Sequence, residues 1–404
     1  MTTPSVPDIM SPEFNDNPYP SYQIFRDHHP VLWDERLGGF LVGRYADVER
    51  ILKDSEVFSS RGWADQFGAV IGRTLLEMDG AEHVAHRRII SRFFHGHGLA
   101  EVATQSVAEM SSRLIDGFAE SGSGDLSDLF DRRLPVGVIS HILGLPLNDW
   151  ERFQGWYRRY VAFFGNFAND PDIAAAGLSA RDQLFDYFGD LIDQRRHVPT
   201  EDLISTLCTA TVDGVRMTDA EIKSFSALLL TGGGETTEKA LDLLICNLLD
   251  NPDQLAAVTA DPELIKFALA ESLRFSPVLH ILTRETTEAV TLSGVTVPAD
   301  TKVFPLIGAT GRDPARFQDP DTFDIRRADL DVGRAFGGAA DHLMFGGGRH
   351  FCVGALLART EVETGMKDIL SRLPNLRYQP DFRPSYTGIF ARGPERIELR
   401  WDVR

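Results

Sequence analysis

Cys352 closes the glycine-rich run FGGGRHFCVG (residues 345–354) and stands just ahead of GALLARTEVETGMKDILSRL, a segment with helical spacing. A thiol at a helix N-terminus faces the positive end of the helix dipole and unpaired backbone N–H groups. Both favour the thiolate. Glycines let the backbone pass close to something flat or bulky. One thiolate with no CxxC partner is a poor zinc site, but it suits a single axial position on a heme iron. Taken alone, a cysteine beside a turn is more often an inert buried thiol.

A second glycine run interrupts a leucine-rich helical stretch in LTGGGETTEK, placing Gly232, Gly233 and Gly234 where a helix interior should be. Each costs about 1 kcal/mol relative to alanine. The carboxyl and hydroxyl that follow, Glu235 and Thr236, are a proton-handling combination. A phosphate loop would need GxxxxGK[ST], and a hydrolase elbow GxSxG; neither pattern is met. A plain flexible kink is the bland alternative. Glu271 and Arg274 in ESLRF could be an ordinary i,i+3 surface pair. His83, His86, His95 and His97 crowd together and could suggest a non-heme metal site, as in a metallohydrolase, which would leave the cysteine loop unexplained. His83 and Arg87, one turn apart, instead share a helix face as carboxylate binders should; His86, His95 and His97 read as solvated or capping residues.

In combination these motifs resemble the cytochromes P450 of the soluble, bacterial type. Phe345, Gly348, Cys352 and Gly354 follow the heme signature FxxGxxxCxG, with His350 inside it. ESLRF supplies the ExxR pair, and RFQDPDTFDIRR the arginine, Arg327, that completes a triad with Glu271 and Arg274. EHVAHR supplies His83 and Arg87, and TRETTE supplies Arg284. Gly232 to Thr236 occupy the oxygen-binding motif [AG]GxxT, with glycine in place of the usual alanine. The resemblance spans essentially the whole chain. It implies heme b lying between a long central helix and the cysteine loop, with Cys352 on the iron and His83, Arg87, Arg284 and His350 on the propionates. Glu235 and Thr236 would bring protons to the oxygen site. The glycines, Gly233 among them, would widen the helix there.

The elements that must position these residues alternate at the front. PSYQIFRDHH reads as a helix, VLWDERLGGFLVG as a hairpin and YADVERILKD as a helix, followed by an irregular stretch over 55–80. The helical bulk runs over 81–275 and 354–372, with β character near 30–45, 278–305 and 375–404. No repeat or linker divides the 404 residues, so the expectation is one mainly helical α+β domain with small sheets. The formal net charge is −18, from 41 basic and 59 acidic residues, which argues against nucleic acid as the main partner. No stretch approaches a membrane span. The start, MTTPSVPDIMSPEF, has no signal-peptide pattern, and three scattered cysteines suit a reducing cytoplasm.

From the resemblance, the distal pocket is expected to draw on Trp63, Phe67, Val70 and Ile71, then on Phe163, Phe164 and Phe167. Leu229 and Gly233 come from the central helix, Val278, Leu279, Ile281 and Leu282 from the segment after the ExxR pair, and Ile389 and Phe390 from the far end. Such a lining implies an apolar small-molecule substrate. Arg61 and Arg73 could anchor a carboxylate, though solvated loop arginines are the plainer reading. With no flavin or iron–sulfur segment, two electrons per turnover must come from separate partners, a ferredoxin and its reductase, with O2 as co-substrate. Arg88, Arg92, Arg349 and Arg359 would receive the ferredoxin on the thiolate side. The expectation is thus a cytoplasmic, monomeric monooxygenase; a heme-binding sensor or carrier without turnover is the alternative.

Overall fold

A computed structural model describes residues 4–102, 106–146, 150–166, 169–212 and 214–403. The chain folds as two compact units. One holds the residues up to Ser59, Ser111–Leu134 and those from Thr236 onward; the other holds Ser60–Met110 and Pro135–Glu235. The boundary crosses the long helix Asp219–Leu249 between Glu235 and Thr236. Among the described residues no helix is long and apolar enough to cross a membrane.

The first unit carries the sheets. Val31–Asp34 and Gly39–Val42 form the hairpin, Gly38 taking φ +63° at its turn. Lys302–Pro305 adds to it in parallel, Arg284–Thr286 and Phe58–Ser59 antiparallel, completing five strands. Glu398–Arg400 joins Arg377–Tyr378 to Ser123–Asp125 in a smaller sheet. Through this unit runs the second half of the long helix, where Leu241, Leu244, Ile245, Cys246 and Leu248 are each at most 1% exposed. A helix buried around its circumference belongs to the core.

The second unit is helical. Pro171–His197 is its longest element; Asp170 caps it by accepting hydrogen bonds from the amides of Asp172 (2.8 Å) and Ile173 (3.3 Å), and a proline opens its first turn. The stretch over 55–80, expected to be irregular, contains the helix Trp63–Ile71. Its apolar residues Trp63, Phe67, Val70 and Ile71 sit at helical spacing, and all are buried.

The three glycines do not interrupt the long helix, which is α-helical throughout with no π turn at that point. That corrects the expected widening. A side chain on Gly234 would stand 2.6 Å from Tyr157 Oη and 2.9 Å from Val136, and one on Gly233 would stand 3.1 Å from Ile139. These two glycines let neighbouring helices of their own unit approach. A side chain added at Gly232 would meet nothing within 4 Å, and this position is exposed. Gly234→Ala is therefore expected to destabilise the protein by about 1–3 kcal/mol through overpacking, whereas Gly232→Ala should be neutral or slightly stabilising. Thermal unfolding of the two variants checks the difference.

A buried carboxyl pair locks the first unit. Asp131, in the π-helical turn Ser127–Asp131, and Asp242, on the long helix, are both fully enclosed. Ser127 Oγ donates to Asp242 Oδ1 at 2.8 Å. The nearby cation, Arg132, is taken by Glu238 (Nη2 to Oε1 2.9 Å) and Asp128 (2.9 Å). Among the described residues no amide, hydroxyl or cation donates to either Asp131 oxygen, and its carboxyl neighbour is Asp242. Burial, and then the Asp242 charge, hold the Asp131 carboxyl well above the ordinary range, with Glu238 and Asp125 adding to the effect. Burial pushes Asp242 up to about 7, although Ser127 and Lys239 pull the other way.

The pair thus keeps a proton that the unfolded chain releases above its ordinary value of 3.8. Stability accordingly falls as pH rises above about 4, by up to about 1.4 kcal/mol per pH unit for each proton the pair retains. Asp131→Asn, which offers Asp242 a neutral donor, should flatten that slope when thermal midpoints are measured against pH.

Candidate active site

The cysteine loop is built from backbone contacts. Cys352 N donates to Phe345 O at 2.9 Å, and Phe351 N donates to Gly348 O at 3.3 Å across the turn Gly348–His350. Gly348 takes φ +59°, and a side chain there would stand 2.9 Å from Lys53 O and 3.1 Å from Leu52 O. Only glycine fits. Gly354 is the N-cap of the helix Ala355–Arg372, two residues beyond Cys352. Cys352 is exposed, whereas Cys208 and Cys246 are buried, where loss of solvation pushes both thiols up and leaves them inert. Phe345 lies among Phe336, His342 and Phe351, with ring centroids 5.8 to 6.2 Å away.

Behind this loop the ExxR residues form no surface pair. Arg274 and Glu271 are 0% and 1% exposed in their side chains and meet in a two-pronged contact, Nε to Oε2 and Nη2 to Oε1, both 2.7 Å. Arg274 also donates to the carbonyls of Gly311 (2.5 Å), Pro320 (2.8 Å) and Thr322 (3.0 Å). Arg327 Nε reaches Glu271 Oε1 at 3.2 Å, and its other nitrogens donate to Gln318, Asp319 and Thr322 carbonyls. Gly311 and the segment 318–322 are thereby fastened to one helix end, and every charge is partnered.

Within the same unit Arg284 is buried on its strand and donates to Thr283 O at 2.7 Å. His350 is half-buried. The two apolar segments expected to line a pocket lie side by side: His280 N donates to Phe390 O at 2.9 Å and Arg392 N to Val278 O at 2.7 Å. Val278 and Ile281 are enclosed, while Leu279, Leu282, Ile389 and Phe390 keep partial exposure. Thr236 is half-buried, as is Glu235. Gly232 and Thr236, four residues apart, share one helix face. Glu361, on the helix after the cysteine, is 2% exposed, and burial holds its carboxyl well above the ordinary range beside Thr237. The sequence reading missed it, since an acid within a helix full of charges gives no sign of pointing inward.

In the second unit His83 and Arg87 occupy one face of the helix Gly80–Phe94, His83 buried and Arg87 half-buried. His86 is neither solvated nor capping: it is 4% exposed, its Nδ1 is 2.9 Å from Glu82 O, and its ring faces Phe225. Among the described residues no three His, Cys, Asp or Glu side chains gather to hold a metal. Trp63 stacks on Phe67 (5.0 Å), which meets Phe164 edge-on (4.5 Å), and Leu229 is 8% exposed. Phe163 does not join them; it packs over Gly177, 2.9 Å from where a side chain there would begin. Gly233 faces Ile139, so the open side of the helix belongs to Gly232. Phe167 lies outside the described residues. Arg73 is ion-paired with Glu82 at 2.5 Å and is a solvated loop arginine.

An exposed sulfur at the head of a helix would suit a single thiolate ligand to a heme iron. The comparisons agree. The sequence model of the family "Cytochrome P450" matches residues 26–400. Pulcherriminic acid synthase of Bacillus subtilis is 34% identical over 98% of this chain and 97% of its own length. The mycinamicin IV hydroxylase/epoxidase of Micromonospora griseorubida is 33% identical over 90% of this chain and 89% of its own. The crystal structure of substrate-free CYP109E1 from Bacillus megaterium superposes with a TM-score of 0.86 at 30% identity, covering 96% of this chain and 99% of that one. The chain belongs to the cytochrome P450 family. It is a heme-thiolate monooxygenase that binds heme b.

Proposed function

We propose that this enzyme inserts one atom of O2 into an apolar small molecule, by hydroxylation, epoxidation or oxidative demethylation, with Cys352 as the iron ligand and electrons drawn from a ferredoxin and its reductase. The observation that carries the reading is the exposed Cys352 on its glycine loop at a helix N-terminus, backed by the enclosed Glu271–Arg274–Arg327 cluster. Heme bound there supplies dioxygen activation, which an electron-rich thiolate favours.

The chain's own groups do the rest. His83, Arg87, Arg284 and His350 would take the propionates by charge-assisted hydrogen bonds. Thr236 Oγ1 would hold a proton at the oxygen site, and the Glu235 carboxyl, still partly reached by solvent, would replace it. The aromatic and aliphatic side chains of both pocket segments would orient the substrate and exclude water. Arg349 and Arg359 would form part of the ferredoxin surface, although each already has an acidic neighbour, Glu56 at 3.5 Å and Glu363 at 2.6 Å. Arg88 and Arg92 are exposed and would add to it. We take the enzyme to act as a cytoplasmic monomer.

The test is reconstitution with a ferredoxin, its reductase and NADPH against steroids, terpenes, fatty acids and aromatic ethers chosen by spin-state shift. Products one oxygen atom heavier, dependent on both partners, support the reading. NADPH consumption with no oxygenated product from any binder contradicts it.

A further inference from the structure

The segment that follows the ExxR helix is held by a buried side-chain hydrogen bond. Tyr22, on the helix Tyr19–His28, places Oη 2.7 Å from His280 Nδ1, and both residues are 1% exposed. Burial, and then Arg392, push His280 down to about 3, so the ring is neutral and the bond is one between uncharged partners. The fit is close on the far side as well. A side chain on Gly308 would stand 2.6 Å from both His280 Nδ1 and Tyr22 Oη, so this position has room for hydrogen alone.

The main chain around His280 is fastened in the same place. Gly308 N donates to His280 O at 3.1 Å, His280 N to Phe390 O at 2.9 Å and Leu282 N to Pro305 O at 3.2 Å. His280 is buried against Tyr22, while Leu279 before it and Leu282 after it keep partial exposure. A slip at His280 would move both leucines.

We infer that the buried Tyr22–His280 pair is a positioning device for the substrate pocket, setting the register in which Leu279 and Leu282 are presented to the ligand. This rests on the reading that those leucines line the pocket. Neither Tyr22 nor His280 touches substrate; they act through the main chain of this segment. A polar pair suits that task better than an apolar one, because a buried donor and acceptor must meet in one geometry or lose their hydrogen bond altogether.

The experiment compares two heme-ligating azoles by absorption titration of the heme-loaded enzyme: imidazole, which needs only the iron, and 4-phenylimidazole, whose ring must also fit the pocket wall. Two variants disturb the pair differently. Tyr22→Phe removes the hydroxyl alone, and Gly308→Ala wedges a methyl against both partners. Each is expected to change 4-phenylimidazole affinity about fivefold or more, with imidazole affinity within about twofold of wild type, since a factor of five corresponds to about 1 kcal/mol of lost fit.

Unchanged affinity for both azoles in either folded variant would overturn the inference and leave the pair as packing only. Equal changes for both azoles would also overturn it, by placing the effect at the heme. Leu279→Ala and Leu282→Ala serve as the reference. If they leave 4-phenylimidazole binding unmoved, it is the pocket assignment that fails, and the positioning role falls with it.

Discussion

Arg274→Ala is expected to yield no stably folded, heme-loaded protein. The guanidinium is fully enclosed and makes two contacts to Glu271 and three to carbonyls of Gly311, Pro320 and Thr322. Truncation takes this donor from the carbonyls of Gly311 and Pro320, leaves Thr322 O with Arg327 alone, and leaves Glu271 with Arg327 at 3.2 Å as its remaining cation. Removing one partner of a buried ion pair costs about 3–5 kcal/mol, because the other charge stays behind uncompensated. Native domains have only about 5–15 kcal/mol in hand. Arg274→Lys should not rescue the fold, since an ammonium cannot reproduce a planar fork that serves a carboxylate and several carbonyls together. Heme content after purification and the thermal midpoint check this. A variant that keeps its heme and its midpoint would show that the cluster contributes little to stability.

Thr236→Ala should leave a folded enzyme that consumes NADPH but wastes it. Thr236 shares a helix face with Gly232, and neither is buried. In the proposed function its hydroxyl holds a proton at the oxygen site, with Glu235 next to it in sequence. Proton transfer by a positioned side chain is worth about 10²–10⁴-fold, so losing the hydroxyl should divert most electrons away from product. Product formed per NADPH is expected to fall about tenfold or more, with hydrogen peroxide making up the difference. Thr236→Ser, which keeps a hydroxyl, should recover much of the coupling. Full coupling in Thr236→Ala would mean that another group holds the proton.

How legible these features were depends on whether the signal was local. Cys352 and its glycines, Glu271 with Arg274, and His83 with Arg87 lie close in sequence, so spacing alone suggested shared loops or helix faces. The hairpin turning at Gly38 and the helices on either side of it follow directly from period and turn chemistry. The helix Trp63–Ile71 lies in the stretch expected to be irregular, although its apolar residues recur at helical spacing; Gly62, Gly68 and Gly72 lower its intrinsic helix propensity, and burial of its apolar face outweighs them. Three adjacent glycines look alike in a sequence. Only Tyr157 and Ile139, brought in by folding, separate Gly233 and Gly234 from the open Gly232. Phe163 fell on an aromatic stripe, and the stripe could not say that Gly177 would receive it. Asp131 and Asp242 look like any two acids until the fold encloses them together.

The absorption spectrum of the reduced, carbon-monoxide-treated protein, taken with that of Cys352→His, asks most directly whether this thiolate holds the iron. The wild type should show the long-wavelength Soret band from which the family takes its name, and Cys352→His should lose it for the shorter position of a histidine-ligated heme. A wild-type band at the shorter position, or a long-wavelength band that survives in Cys352→His, would contradict ligation by Cys352.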